Sequence, residues 1–116
     1  MIKKRCSYEA KKNADELMIT LHGEIDHHTA VGIRSDIDAI IYEMRPKRAV
    51  LDMSEIEFMD SSGLGLIMGR YALMQKLGGE LILRSPNERI QKIFRLAGLE
   101  RIIKIEEGEE NEKSDS

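Results

Sequence analysis

Ala49-Val50-Leu51-Asp52-Met53 is a nearly continuous apolar run, and Phe58-Met59-Asp60-Ser61-Ser62-Gly63-Leu64-Gly65 follows it after a short connector. Five residues of this kind read as a strand, of the sort found in a sheet covered on both faces. Beyond Asp60 the apolar residues fall at Leu64, Ile67, Met68, Tyr71 and Met74. Those spacings of three and four predict an amphipathic helix with these residues on its buried face. Two hydroxyls therefore stand where a strand gives way to a helix. The first N–H groups of a helix have no intrahelical partner, and the helix dipole favours negative charge there. Such a place can cap a helix, hold an anion or receive a phosphate.

The same logic extends outward in both directions. Upstream, Lys3 to Ala10 alternates, with Cys6, Tyr8 and Ala10 on one side, and Leu17 to His22 alternates through Leu17, Ile19 and Leu21. Two such strands around the polar turn Asn13-Ala14-Asp15-Glu16 predict an antiparallel hairpin. Gly23-Glu24-Ile25-Asp26 ends the second strand, and a helix follows with Ala30, Ile33, Ile37, Ile41 and Met44 in register, stopped by Pro46. Asp26 and Thr29 are both acceptable N-caps for it. Gly32 inside this helix costs roughly 1 kcal/mol relative to Ala and hints at close packing. Downstream, Gly78-Gly79 ends the serine-bearing helix and Leu81-Ile82-Leu83 reads as a strand. Ser85-Pro86-Asn87-Glu88 predicts a capping box with Ser85 as N-cap, ahead of a helix burying Ile90, Ile93, Phe94 and Ala97. Gly98 closes that helix, and Ile102 to Ile105 is a last short strand. The order β-β-α-β-α-β-α-β implies crossover connections. The expected fold is one α/β domain with a mixed, mostly parallel sheet of five strands, an N-terminal hairpin and three helices.

The chain has 116 residues, enough for one modest core. The net charge is −3, of which residues 106–116 hold −5 through six acidic residues and one Lys. The rest therefore carries about +2 in the same count. Residues 1–105 read as the domain and 106–116 as an acidic, disordered tail. With no Trp, three Tyr, two Phe and no long basic run, nothing favours direct nucleic-acid binding. There is no apolar stretch of transmembrane length and no signal-peptide pattern, so the chain reads as cytoplasmic, without a membrane partner. The single cysteine, Cys6, reads as a small buried strand residue.

Each candidate chemistry competes with a plain structural role. Ser61 or Ser62 could simply cap the helix, with Gly63 allowing the turn. A serine hydrolase is a poor fit, since Met59 and Asp60 precede Ser61 where a nucleophile elbow needs glycine. Gly63, Gly65 and Gly69 miss the dinucleotide fingerprint by one residue. Gly65 and Gly69, one turn apart, offer a bare strip of backbone for close packing by the sheet or by a partner. His27 and His28 point about 100° apart on a helix and do not form a metal pair. The methionines read as core filler, with Met59 notable for its place beside the serines.

Phe58-Met59-Asp60-Ser61-Ser62-Gly63-Leu64-Gly65 resembles the phosphorylation loop of STAS-domain anti-sigma factor antagonists. Gly23-Glu24-Ile25-Asp26-His27-His28-Thr29-Ala30 and Gly69-Arg70-Tyr71 resemble the sporulation branch of that family, the anti-sigma F factor antagonists. The likeness runs from the first hairpin to about Ile105, and the acidic tail departs from it. It implies a switch protein and not an enzyme. The unmodified chain would bind an anti-sigma factor that is also a serine kinase, releasing the sporulation sigma factor. The kinase would phosphorylate Ser61, with Ser62 as rival acceptor and otherwise the cap, and a serine phosphatase would reset the cycle. No cofactor is implied on this chain, because ATP or ADP belongs to the kinase. The implied partner face is Asp26, Thr29, Met59, Asp60, Ser62, Gly63, Leu64 and Gly65, extending to Met68. A phosphorylation-independent STAS scaffold and a small-ligand sensor are the alternative readings.

Overall fold

The structure, a computed structural model, describes residues 6–107. Strands β1 (Ser7–Asn13) and β2 (Glu16–Ile25) form the expected antiparallel hairpin, closed by the pair Asn13 and Glu16. Ala14 makes the turn at φ 55°. There follow α1 (His27–Met44), β3 (Arg48–Met59), α2 (Ser61–Lys76), β4 (Glu80–Arg84), α3 (Glu88–Ala97), a 3-10 turn (Leu99–Arg101) and β5 (Lys104–Glu106). The sheet order is β1-β2-β3-β4-β5, parallel from β2 onward.

That sequential order decides where the helices lie. Successive right-handed crossovers stepping one way across a sheet put every helix on the same face. Accordingly, Leu17, Ile19 and Leu21 of β2, Ala49, Leu51 and Met53 of β3, and Leu81 and Leu83 of β4 share one core with α1, α2 and α3. The helix contribution is Ile33, Ile37 and Ile41, then Leu66, Ile67, Leu73 and Met74, then Ile90 and Phe94. Helices therefore cover one face of the sheet only, where the apolar run of β3 reads as suited to a sheet covered on both. Val50 and Ile82 point to the opposite face and are buried even so. Arg48, in β3, pairs with Glu16 in β2 and, at 3.1 Å, with Glu106 in β5. That pair of contacts spans the sheet from β2 to β5 on the face that carries Val50 and Ile82.

Several local readings shift. Strand β2 does not stop near His22. It runs on to Ile25 through register irregularities between Thr20 and His22 and at Gly23–Glu24, with Gly23 at φ 97°. Strand β3 likewise continues through the supposed connector to Met59, paired with β2 alone beyond Asp52. The two strands thus project as a ribbon past the end of β4. Ser85, at φ 56°, is not a cap; Asn87 is, its side chain accepting from Ile90 N–H at 2.9 Å and donating to Ile56 C=O at 3.2 Å. Ala97 is exposed. Gly32 is also exposed, with open space where a Cβ would stand, so nothing packs closely there. Glu106, assigned to the tail, belongs to β5 and holds Arg48, Arg84 and Lys104. Lys3–Arg5 of the expected first strand and residues 108–116 of the expected tail lie outside the described residues.

Candidate functional site

Because β2 and β3 are parallel neighbours, the helices that follow them start side by side at one edge of the sheet. Ile25 and Met59 are register partners, and the N–H of Asp60 donates to Ile25 C=O at 3.1 Å. One residue later on each strand sits an aspartate. Asp26 caps α1, its Oδ1 accepting from Thr29 N–H at 2.9 Å, while the Thr29 hydroxyl accepts from Asp26 N–H at 3.0 Å. That reciprocal pair makes Asp26 the cap and Thr29 its box partner. Asp60 caps α2, its Oδ1 accepting from Ser62 N–H at 2.7 Å.

The cap on α2 is therefore the aspartate, correcting the assignment to either serine. Ser61 is the first helical residue and its side chain is exposed, whereas Ser62 is half-buried. A hydroxyl in the first turn of a helix, free of capping duty, can take an anionic group where the dipole favours one. The other expected site residues divide by depth. Met59 is 2% exposed, and Gly63 is buried on top of it, so close that a Cβ at Gly63 would meet the Met59 thioether. These two shape the loop from beneath. Leu64 is half-buried against the core, Gly65 is exposed with open space beside it, and Met68 is 37% exposed. Gly69 also has open space, so neither glycine of the bare strip serves packing inside the domain.

The buried face of α2 is Gly63, Leu66, Ile67, Arg70, Leu73 and Met74; it keeps Ile67 and Met74 of the face that the spacing predicts, whereas Leu64 and Tyr71 are half-buried and Met68 is exposed. Arg70 is the polar member. Only 5% exposed, it brings Nε to 2.7 Å from Asp38 Oδ1 of α1, though not along the N–H direction, and donates from Nη1 to Leu66 C=O at 3.3 Å. Burial lowers the affinity of this guanidinium for its proton, with nearby Arg34 acting the same way and Asp38 opposing both. Burial, helped by Asp26, pushes the Cys6 thiol up to about 11, so at neutral pH it is a protonated, half-buried thiol and no nucleophile. Among the described residues no group of three or more His, Cys, Asp or Glu side chains could hold a metal ion, and no helix is long and apolar enough to cross a membrane.

A family profile described as the STAS domain matches residues 7–112. The chain belongs to the STAS-domain family. Over 103 residues this STAS domain is 36% identical to the anti-sigma F factor antagonist of Paenibacillus polymyxa, covering 89% of this chain and 88% of that one. The anti-sigma factor antagonist SpoIIAA in its unphosphorylated form superposes with a TM-score of 0.79 at 29% identity, with 94% of each chain covered. The Bacillus cell fate determinant SpoIIAA in its phosphorylated form gives 0.73 at 29% identity, with 94% of this chain and 97% of that one covered. Within the STAS family, the chain stands with the anti-sigma factor antagonists.

Three residues at this edge of the STAS domain escape the sequence reading. Phe58 is 44% exposed and Val31 50% exposed, and Arg34 lines a cleft with Ser62 and Gly65. A signal for two of them is in the sequence. His27, Val31 and Arg34 follow at i, i+4 and i+7, a second face of α1 beside the aliphatic stripe of Ile33, Ile37 and Ile41. Phe58 gave none, because its exposure depends on β3 continuing as a ribbon strand with Ile56 and Met59 turned inward.

Proposed function

We propose that this chain is a phosphorylation-controlled anti-sigma factor antagonist of the sporulation type, a cytoplasmic switch protein and not an enzyme. Unmodified, it binds an anti-sigma factor that is also a serine kinase, and the sigma factor is released. The kinase, carrying ATP, modifies Ser61, and the complex falls apart. A serine phosphatase restores the unmodified chain. The observation that carries this reading is the exposed Ser61 hydroxyl at the start of α2, excused from capping by Asp60, beside Asp26 on the neighbouring helix start.

The physics of the switch is local. A phosphate adds about −1.5 to −2 charge and a hydrated group. A partner that excludes water around a neutral serine loses that contact, while the helix start tolerates the phosphate, so binding changes and the fold does not. Exposure favours Ser61 over the half-buried Ser62 as acceptor. The partner face comprises Asp26, Ser61, Ser62, Leu64, Gly65 and Met68, with Phe58 and Val31 added, and with Thr29, Met59, Asp60 and Gly63 holding the loop in shape. Intact mass and peptide mapping after incubation with the cognate anti-sigma kinase and ATP test it. One phosphate on Ser61, abolished by Ser61→Ala, is the expected result. A phosphate on Ser62 moves the site, and none at all with a demonstrably active kinase overturns the reading.

A further inference from the structure

Between the first turns of α1 and α2 lies a cleft of about 230 Å³. A cavity of about 150 Å³ can already hold benzene, so one aliphatic or aromatic side chain fits. Its walls include Val31, Leu66 and Gly65, and the space above Gly65 is empty, so the apolar part is open to a partner. The polar lining is His27, Ser62 and Arg34, with no carboxylate among the residues that form the cleft.

Arg34 is the fixed charge of that lining, and among the described residues it has no ion pair or hydrogen bond. Its neighbour Arg70 is ion-paired with Asp38, and Arg34 acts on Arg70 as an unfavourable like charge. The nearby aspartates Asp26 and Asp60 already serve the backbone N–H groups of Thr29 and Ser62. The two helix starts add partial positive charge. The seam between α1 and α2 is thus an apolar slot with one unanswered cation at its rim.

We propose that this cleft is the docking slot for an apolar side chain flanked by a carboxylate on the anti-sigma factor, with Arg34 receiving the carboxylate. The inference rests on the anti-sigma reading above and names the chemistry of that contact. It also ties the switch to the slot. A phosphate on Ser61, one residue before the lining residue Ser62, has the sign of the incoming carboxylate and opposes its approach.

Binding of the full chain to the purified cognate anti-sigma factor tests this, with urea unfolding of each variant as the control. Gly65→Leu fills the slot in open space and removes a helical glycine, so it folds at least as well as the parent. It should weaken binding by about tenfold or more, as loss of a central anchor does. Arg34→Glu should weaken binding more than Arg34→Ala. The Arg34→Ala deficit should shrink as salt approaches about 1 M, where the screening length is about 3 Å. Parental affinity for both Gly65→Leu and Arg34→Glu overturns the slot and leaves the anti-sigma reading standing. Tighter binding by Arg34→Glu overturns the carboxylate. Failure of the parent chain itself to bind overturns both.

Discussion

Gly63 and Gly69 lie on one helix six residues apart and have opposite surroundings. At Gly63 a Cβ would run into Met59, which is itself locked in the core at 2% exposure. At Gly69 nothing stands within contact range. Overpacking costs about 1–3 kcal/mol, whereas replacing a helical glycine by alanine gains up to about 1 kcal/mol. Gly63→Ala should therefore lower the unfolding free energy measured in urea by roughly 0–2 kcal/mol net, and Gly69→Ala should raise it. Equal effects from the two would refute the account of Gly63 as the lid over Met59. The residue pattern Asp-Ser-Ser-Gly was readable as a helix start, but its division of labour was not. Which oxygen caps depends on backbone angles at Asp60, and those are set by the hydrogen bond from Asp60 N–H to Ile25 across the ribbon.

At the scale of elements, the seam between α1 and α2 is pinned by Arg70 and Asp38. The partners are unequal, since Arg70 is buried and Asp38 is about a third exposed. Removing Asp38 leaves a guanidinium in the core without its carboxylate, while removing Arg70 leaves a carboxylate that water can reach. Breaking a fully buried pair costs about 3–5 kcal/mol, and partial exposure reduces that. Asp38→Ala should thus cost about 2 kcal/mol or more, and Arg70→Met clearly less, because Met keeps the packing. The reverse order in urea unfolding would mean that Arg70 acts through its contact with Leu66 C=O alone. Tyr71 beside it was expected in the core and is half-buried. The helix was predictable from apolar spacing, but Leu66 and Leu73 on one side and Leu64 and Met68 on the other fit that spacing almost equally well. The position of α1, with an aspartate ready for Arg70, selects between them.

For the whole molecule, the edge of the sheet depends on Glu106, which gathers Arg48 of β3, Arg84 of β4 and Lys104 of β5. Three cations from three strands around one carboxylate make the last strand part of the domain. Glu106→Gln should lower stability by about 1 kcal/mol, with the loss shrinking as salt rises. An unchanged thermal midpoint at low salt would show the cluster to be surface ornament without energetic weight. The expected domain end at residue 105 missed this, because a glutamate in an acidic run looks solvated until the arginines of distant strands are brought to it. The family profile likewise extends past that point, to residue 112.

The sequence by itself determined the order of the elements, the hairpin, the parallel crossovers and the strand-to-helix junction carrying Ser61. These rest on alternation, helical spacing and turn residues, which are local properties of the chain. Only the tertiary structure decided that the helices share one face, that Met59 lies beneath the loop while Phe58 and Val31 lie outside it, and that Asn87 caps α3 while gripping Ile56. Each of these depends on a contact between segments far apart in sequence: the handed crossover, the β2–β3 ribbon beyond β4, and the approach of α3 to β3. Alternation states that neighbouring side chains point opposite ways. Which of the two directions is inside is settled only when another element arrives to cover one of them.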